Sequence, residues 1–180
     1  MIEQKITTPH GIITLRQAAE TDAMAFRELR LEALQNNPVA FSSDFSANAE
    51  QPDQFWLERI QKLGDEGTIF FVEHDNSLLG MCGIQKGYSI KTRHSGLIWG
   101  VFVKPAWRGA GIAQHLIEAC INWAKNHEVT VVKLGVAATN ISAIRCYASC
   151  GFLIYGIEPQ AIQYENTMVD ELLMARDIRK

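Results

Sequence analysis

The chain has no apolar run near the roughly 18 residues needed to span a bilayer. Its first residues, Met1-Ile2-Glu3-Gln4-Lys5, lack the charged-then-apolar pattern of a secretion signal. A cytoplasmic protein with no membrane partner is the expectation. Positive charge is scarce too: 17 Lys and Arg stand against 20 Asp and Glu, a net charge of −3, with no Lys/Arg-rich block. Phosphate backbones are held by clustered positive charge, so nothing supports a nucleic-acid partner. The four cysteines, Cys82, Cys120, Cys146 and Cys150, match no zinc spacing; free thiols and no metal site are expected. No Gly-Lys-Ser/Thr occurs, which excludes a nucleotide P-loop, and Gln114 stands where a dinucleotide fingerprint needs Gly or Ala. Repeats, low-complexity tracts and linkers are absent as well. With 180 residues and 47% apolar content, one domain over residues 1–180 around a single core is expected.

What is present centres on Leu97 to Trp123. Leu97-Ile98-Trp99-Gly100-Val101-Phe102-Val103 reads as a buried strand, which Lys104-Pro105 stops because proline has no N–H for a ladder. Ala106-Trp107-Arg108-Gly109-Ala110-Gly111 follows as a turn. From Ile112 the apolar residues Ile112, Leu116, Ile117, Cys120, Trp123 and Ala124 fall at helical spacing. The first amides of a helix lack intrahelical partners and sit at its positive end. Gly109 and Gly111 let backbone approach a bulky anion, and Arg108 adds charge beside it, which together make a phosphate site. The plainer reading is a tight strand-to-helix turn. Gly100, inside a strand, indicates a bulge or a close backbone approach.

Two blocks carry a resemblance. Arg108-Gly109-Ala110-Gly111-Ile112-Ala113 resembles the R/Q-x-x-G-x-G/A signature of the GCN5-related N-acetyltransferase (GNAT) family, and Val101–Pro105 resembles that family's fourth strand and the turn leaving it. Downstream, Asn140 to Phe152 resembles the N-x-x-A-x-x-x-Y-x-x-x-G-F segment after its fifth strand. The resemblance implies an α/β fold: a mixed, mostly antiparallel sheet of about seven strands, the fourth and fifth splayed, with about four helices.

In chain order, Ile12–Arg16 reads as a first strand, and Thr21 or Asp22 caps a helix to Asn36 with Phe26, Leu29, Ala33 and Leu34 inward. Val39–Ala49 is a loop with Phe41 and Phe45, which either pin it to the core or meet substrate. Pro52-Asp53 opens a second helix. Thr68–His74 and Leu78–Lys86 make a hairpin about Asp75-Asn76-Ser77. Gly87–His94 is a polar connection, Val129–Val136 the fifth strand, and Asn140 opens a helix that Gly151 closes. Phe152–Ile157 is the sixth strand. A connection over Gln160–Thr167 leads to a last strand at Val169–Arg176.

The activity implied is acetyl transfer from acetyl-CoA to a primary amine of a small molecule or peptide, by direct attack in a ternary complex. By motif position Arg108, Gly109, Ala110, Gly111, Ile112 and Ala113 would face the pyrophosphate. Backbone groups of Val101, Phe102 and Val103 would pair with the pantetheine arm, Asn140 would bond it, and Tyr147 would be the general acid. Plainer readings remain: Asn140 as a helix cap, Tyr147 as core. The glutamate some members carry on strand four is missing at Ile98-Trp99-Gly100, and no base is assigned among Glu32, Glu73, His94 and Glu165. The alternatives are a CoA-binding module without catalysis and a transferase of another short acyl group. A homodimer is compatible with the resemblance; the acceptor is not read from the sequence.

Overall fold

The computed structural model describes residues 3–179. Eight strands form one sheet in the order β1-β2-β3-β4-β5-β6-β8-β7. They are β1 (Glu3–Thr8), β2 (Gly11–Gln17), β3 (Gly67–His74), β4 (Ser77–Lys86), β5 (Ser95–Val103), β6 (Val131–Ala137), β7 (Leu153–Tyr164) and β8 (Thr167–Asp177). Every pairing is antiparallel except β5 with β6. Five α-helices accompany it: α1 (Ala23–Asn36), α2 (Phe45–Ala49), α3 (Asp53–Gln61), α4 (Ile112–Lys125) and α5 (Ile141–Ser149). This is the expected mixed, mostly antiparallel α/β domain, with one more strand and one more helix.

The extra strand is β1. Its burial alternates around Ile6 and Thr8 while Glu3, Gln4 and Lys5 stay exposed, so this edge strand offers no apolar run to read. The family's fourth and fifth strands are therefore the fifth and sixth here. The extra helix, α2, is five residues long and capped by Asp44, whose carboxylate accepts from Ala47 N at 2.8 Å. The expected connection at Gln160–Thr167 is mostly strand. β7 runs on to Tyr164 at the sheet edge, and Pro159 is tolerated in an irregularity between Glu158 and Ile162.

The near-continuous apolar run of β3 follows from cover on both faces. Ile69 and Phe71 point to α1 and α3, with Phe26, Leu29 and Trp56. Phe70 and Val72 point to α4, with Leu116, Ile117 and Cys120. The β3–β4 turn is two residues, Asp75 and Asn76, at φ 48° and 61°, which matches the right-handed twist of a hairpin.

Two features open the sheet. In β5 the pairing steps from Met81↔Phe102 to Gly83↔Trp99, leaving Gly100 and Val101 opposite Cys82. Gly100 has φ +67°, so the bulge expected there exists. Gly83 seats the Trp99 indole, since a Cβ on it would lie 2.3 Å from that ring. Then β5 and β6 pair only at Ser95↔Val131, Gly96↔Val132 and Leu97↔Lys133. Beyond these, β6 keeps β8 while β5 keeps β4, and the two strands splay.

Candidate active site

The splay joins two clefts. One, about 650 Å³, lies on the α4–α5 side; the other, about 690 Å³, lies on the α1–α3 side. They share Ala40, Phe41, Ile98, Trp99, Gly100, Leu134 and Gly135, the residues that border the gap. Phe41 both packs on the core and faces the clefts, while Phe45 borders a separate depression.

The first cleft is built from the strand-to-helix turn. Gly109 and Gly111 have φ +80° and +75°, and Gly111 is the residue before α4. A Cβ on Gly109 would meet nothing within 4 Å, and one on Gly111 only Gln114 Oε1 at 3.5 Å, so the backbone is bare toward the cleft. The first hydrogen bond of the helix is His115 N to Gly111 O, 3.2 Å. The amides before it have no partner within the helix and sit at its positive end. Arg108 Nε donates to Val103 O at 3.0 Å, which ties the turn to β5 while the residue borders the cleft.

Val101, Phe102, Val103, Arg108, Gly109, Gly111, Ile112, Ala113, Asn140 and Tyr147 all line this cleft. Ala110 instead packs against the core beside α4. Asn140 is a helix cap: its Oδ1 accepts from Ala143 N at 3.2 Å and from Ser142 Oγ at 3.0 Å. Among the described residues no partner is found for its NH₂ group, which remains for a ligand. Tyr147 is 7% exposed, with its ring edge-on to Phe152. Burial first, then Cys82, Cys146 and Cys150, push its phenol well up, so it stays protonated. All four cysteines are free, as expected, and Cys146 also borders the cleft.

The residues considered as bases lie elsewhere. Glu32 pairs with Lys104 at 3.4 Å and Glu73 with Arg16 at 2.7 Å. His94 and Glu165 are exposed, one before β5 and the other in the β7–β8 turn, and neither borders the joined clefts. The sequence reading missed Glu171. Its carboxylate lies over Gly135 at the gap: a Cβ on Gly135 would be 2.8 Å from Oε2. Burial, then its cross-strand neighbour Glu158, raise the carboxyl above the usual range. Arg30 was missed too, although at four residues after Phe26 and three before Ala33 it falls on the inward stripe of α1.

The comparisons agree with the architecture. The sequence model of the Acetyltransferase (GNAT) family matches residues 24–152. An aminoglycoside N(6')-acetyltransferase type 1 from Stenotrophomonas maltophilia is 26% identical over 145 residues, covering 77% of this chain and 85% of that enzyme. A streptothricin acetyltransferase from Escherichia coli is 34% identical over 58 residues, 32% of this chain and only 33% of that enzyme's length. The structure of yncA from Salmonella typhimurium, solved with its cofactor acetyl-CoA, superposes with a TM-score of 0.82 at 20% identity, covering 93% of this chain and 95% of that one. Among the described residues no helix is long and apolar enough to cross a membrane, and no group of side chains could hold a metal ion. With the splayed sheet, the bare glycine turn before α4 and the family match over most of its length, the chain belongs to the GNAT acetyltransferase family.

Proposed function

We propose that the protein is an N-acetyltransferase that moves an acetyl group from acetyl-CoA to a primary amine in a ternary complex. The observation that carries this is the junction of two clefts across one gap in the sheet, with a protonated phenol on one side and a carboxylate on the other. The residues of the first cleft fit acetyl-CoA. The amides of Gly111 to Ala113, the bare backbone at Gly109, and Arg108 suit a pyrophosphate. The splayed edge from Val101 to Val103 has no strand partner on the β6 side and can meet an extended arm, and the Asn140 amide can bond it.

Acetyl-CoA supplies, when bound, an activated acyl carbon on which the C–N bond forms as the C–S bond breaks. Glu171 takes the proton that the amine must lose. Its raised pKa makes it a better base than a solvated glutamate. Tyr147 donates a hydrogen bond or proton to the departing sulfur; its buried, neutral phenol favours donation over ionisation. The bulge at Gly100 presents backbone at the point where charge develops on the acyl oxygen. No covalent enzyme intermediate is needed.

Calorimetric titration with acetyl-CoA on wild type and Gly111→Val tests the reading. Micromolar binding by wild type, and its loss in a folded variant, supports it. Failure of wild type to bind refutes it and leaves only the fold. A panel of amines with free-thiol detection then separates an enzyme from a silent CoA-binding module.

A further inference from the structure

The second cleft is lined by hydrogen-bond donors that the fold leaves unused. Arg30 is 4% exposed in the middle of α1. Its Nη2 donates to Ser43 Oγ at 3.2 Å and its guanidinium lies 4.7 Å from the Phe41 ring centroid. Its Nε and Nη1 are buried without a hydrogen-bond partner, and so is Nε1 of Trp99. Arg59, from α3, lies over Phe55 and Trp99 at 5.6 and 5.2 Å. Among the described residues neither arginine joins an ion pair. Two other part-buried arginines are matched. Arg16 is matched by Asp22 and Glu73, and Arg176 by Glu118 and the Cys150 carbonyl. A buried guanidinium without a carboxylate is costly, and here Arg30 shares its cavity with a second, half-buried one, Arg59.

We propose that Arg30 and Arg59 bind a carboxylate on the acceptor, so that the amine acetylated belongs to an amino acid. The placement of charge across the gap supports this. A Cβ on Gly100 would lie 3.5 Å from Arg30 Nη1, which places the guanidinium beside the bulge where the two clefts meet. The Glu171 carboxylate lies over Gly135 on the facing strand. A cation on one wall and an anion on the other match a molecule that carries both a carboxylate and an amine. Burial, then Arg59, bring Arg30 down to about 10, so it remains charged at neutral pH with its field unscreened. Beyond the gap, Phe55, Tyr155 and Leu173 border room for an apolar side chain. The assignment rests on the acetyl-transfer reading above and narrows its acceptor.

The test compares a panel of L-amino acids with their decarboxylated amines, as kcat/KM, on wild type, Arg30→Gln and Arg59→Gln. Wild type should prefer the best amino acid over its decarboxylated amine by about 100-fold, the discrimination expected of a charge-assisted pair. Both variants should bring that ratio below about 5, chiefly through KM for the amino acid. Using the ratio removes any general loss of rate, and Arg59→Gln, nearer the surface, covers the case in which Arg30→Gln fails to fold. A wild type that prefers the decarboxylated amines, or a ratio that survives both substitutions, overturns the assignment. Calorimetry with the amino acid alone reads the carboxylate directly. If acetyl-CoA binds and simple amines are acetylated while no amino acid binds, this inference fails and the transferase reading stands. If acetyl-CoA does not bind, the transferase reading fails, while amino-acid binding still decides the role of the arginines.

Discussion

Replacing Arg30 by Met keeps a long unbranched stem on α1 and removes a buried charge, and the fold should gain from it. Burial, then Arg59, bring the guanidinium down from its ordinary range to about 10. At about 1.36 kcal/mol per decade this is a cost of about 3 kcal/mol in the ionised folded state, and at 4% exposure little solvent screening reduces it. Set against it are the Ser43 hydrogen bond, worth about 1 kcal/mol, and the contact with Phe41, worth about 1 kcal/mol. Arg30→Met should therefore stabilise the free protein by about 1 kcal/mol, raising Tm by about 3 °C for a domain of this size. The pH dependence has a definite sign. Unfolded Arg30 holds its proton to higher pH than folded Arg30, which holds it only to about 10, so the cost is complete below pH 10 and fades as pH rises above it. The gain should then be equal at about pH 6 and about pH 9. Urea unfolding of wild type and variant at both pH values, with unchanged m, measures it. A loss of about 2 kcal/mol or more would mean that Arg30 is satisfied within the fold, and the acceptor argument would go with it.

The remaining expectations concern single residues. Tyr147→Phe should lower kcat by about 100-fold and leave the acetyl-CoA Kd within about threefold, read by steady-state kinetics and calorimetry. Glu171→Gln should also lower kcat by about 100-fold and abolish the acidic limb of the pH–rate profile, which in wild type sits above the ordinary glutamate range because of burial and Glu158. Asn140→Ala removes the cap on α5 and should cost about 1 kcal/mol in chemical unfolding while weakening acetyl-CoA binding. Asp22→Asn should cost about 1 kcal/mol, since Arg16, which Asp22 grips through both oxygens at 2.7 and 2.8 Å, is left with Glu73 alone. Burial alone would raise the Asp22 carboxyl, but Arg16 and the Ala19 amide bring it below the usual 3.8. Its contribution is present above the unfolded value and disappears as pH falls through the folded one, so the variant's deficit should shrink in acid unfolding.

Local chemistry was readable from the chain. Gly109 and Gly111 are needed for backbone at positive φ, Asp75-Asn76 for a two-residue hairpin, and Lys104-Pro105 ends β5. Gly100 could be read as a bulge because a glycine in a buried strand has few other uses. What stayed hidden depends on neighbours distant in sequence. Glu171 looks like any exposed strand glutamate until β6 is seen to carry Gly135 beneath it. β1 carries too little apolar surface to leave a pattern. Arg30 stood on the inward stripe of α1 in plain view, but its missing partner is a property of what surrounds it and not of the helix. The fourth and fifth strands of the GNAT pattern also shifted by one, because motif matching begins inside the fold and does not count from its edge.

The gap between β5 and β6 has a kinetic consequence. On the proposed reading acetyl-CoA and the amine would each have their own doorway, one on the α4–α5 side and one on the α1–α3 side, and the two clefts touch only where the strands part. Neither has to leave before the other can enter or depart. Addition and release should follow no compulsory sequence: initial-velocity lines should intersect, and CoA should compete with acetyl-CoA but not with the amine. A transferase of the proposed kind, loading from both faces of its sheet, would take its turnstile from chemistry, with no need of a lid.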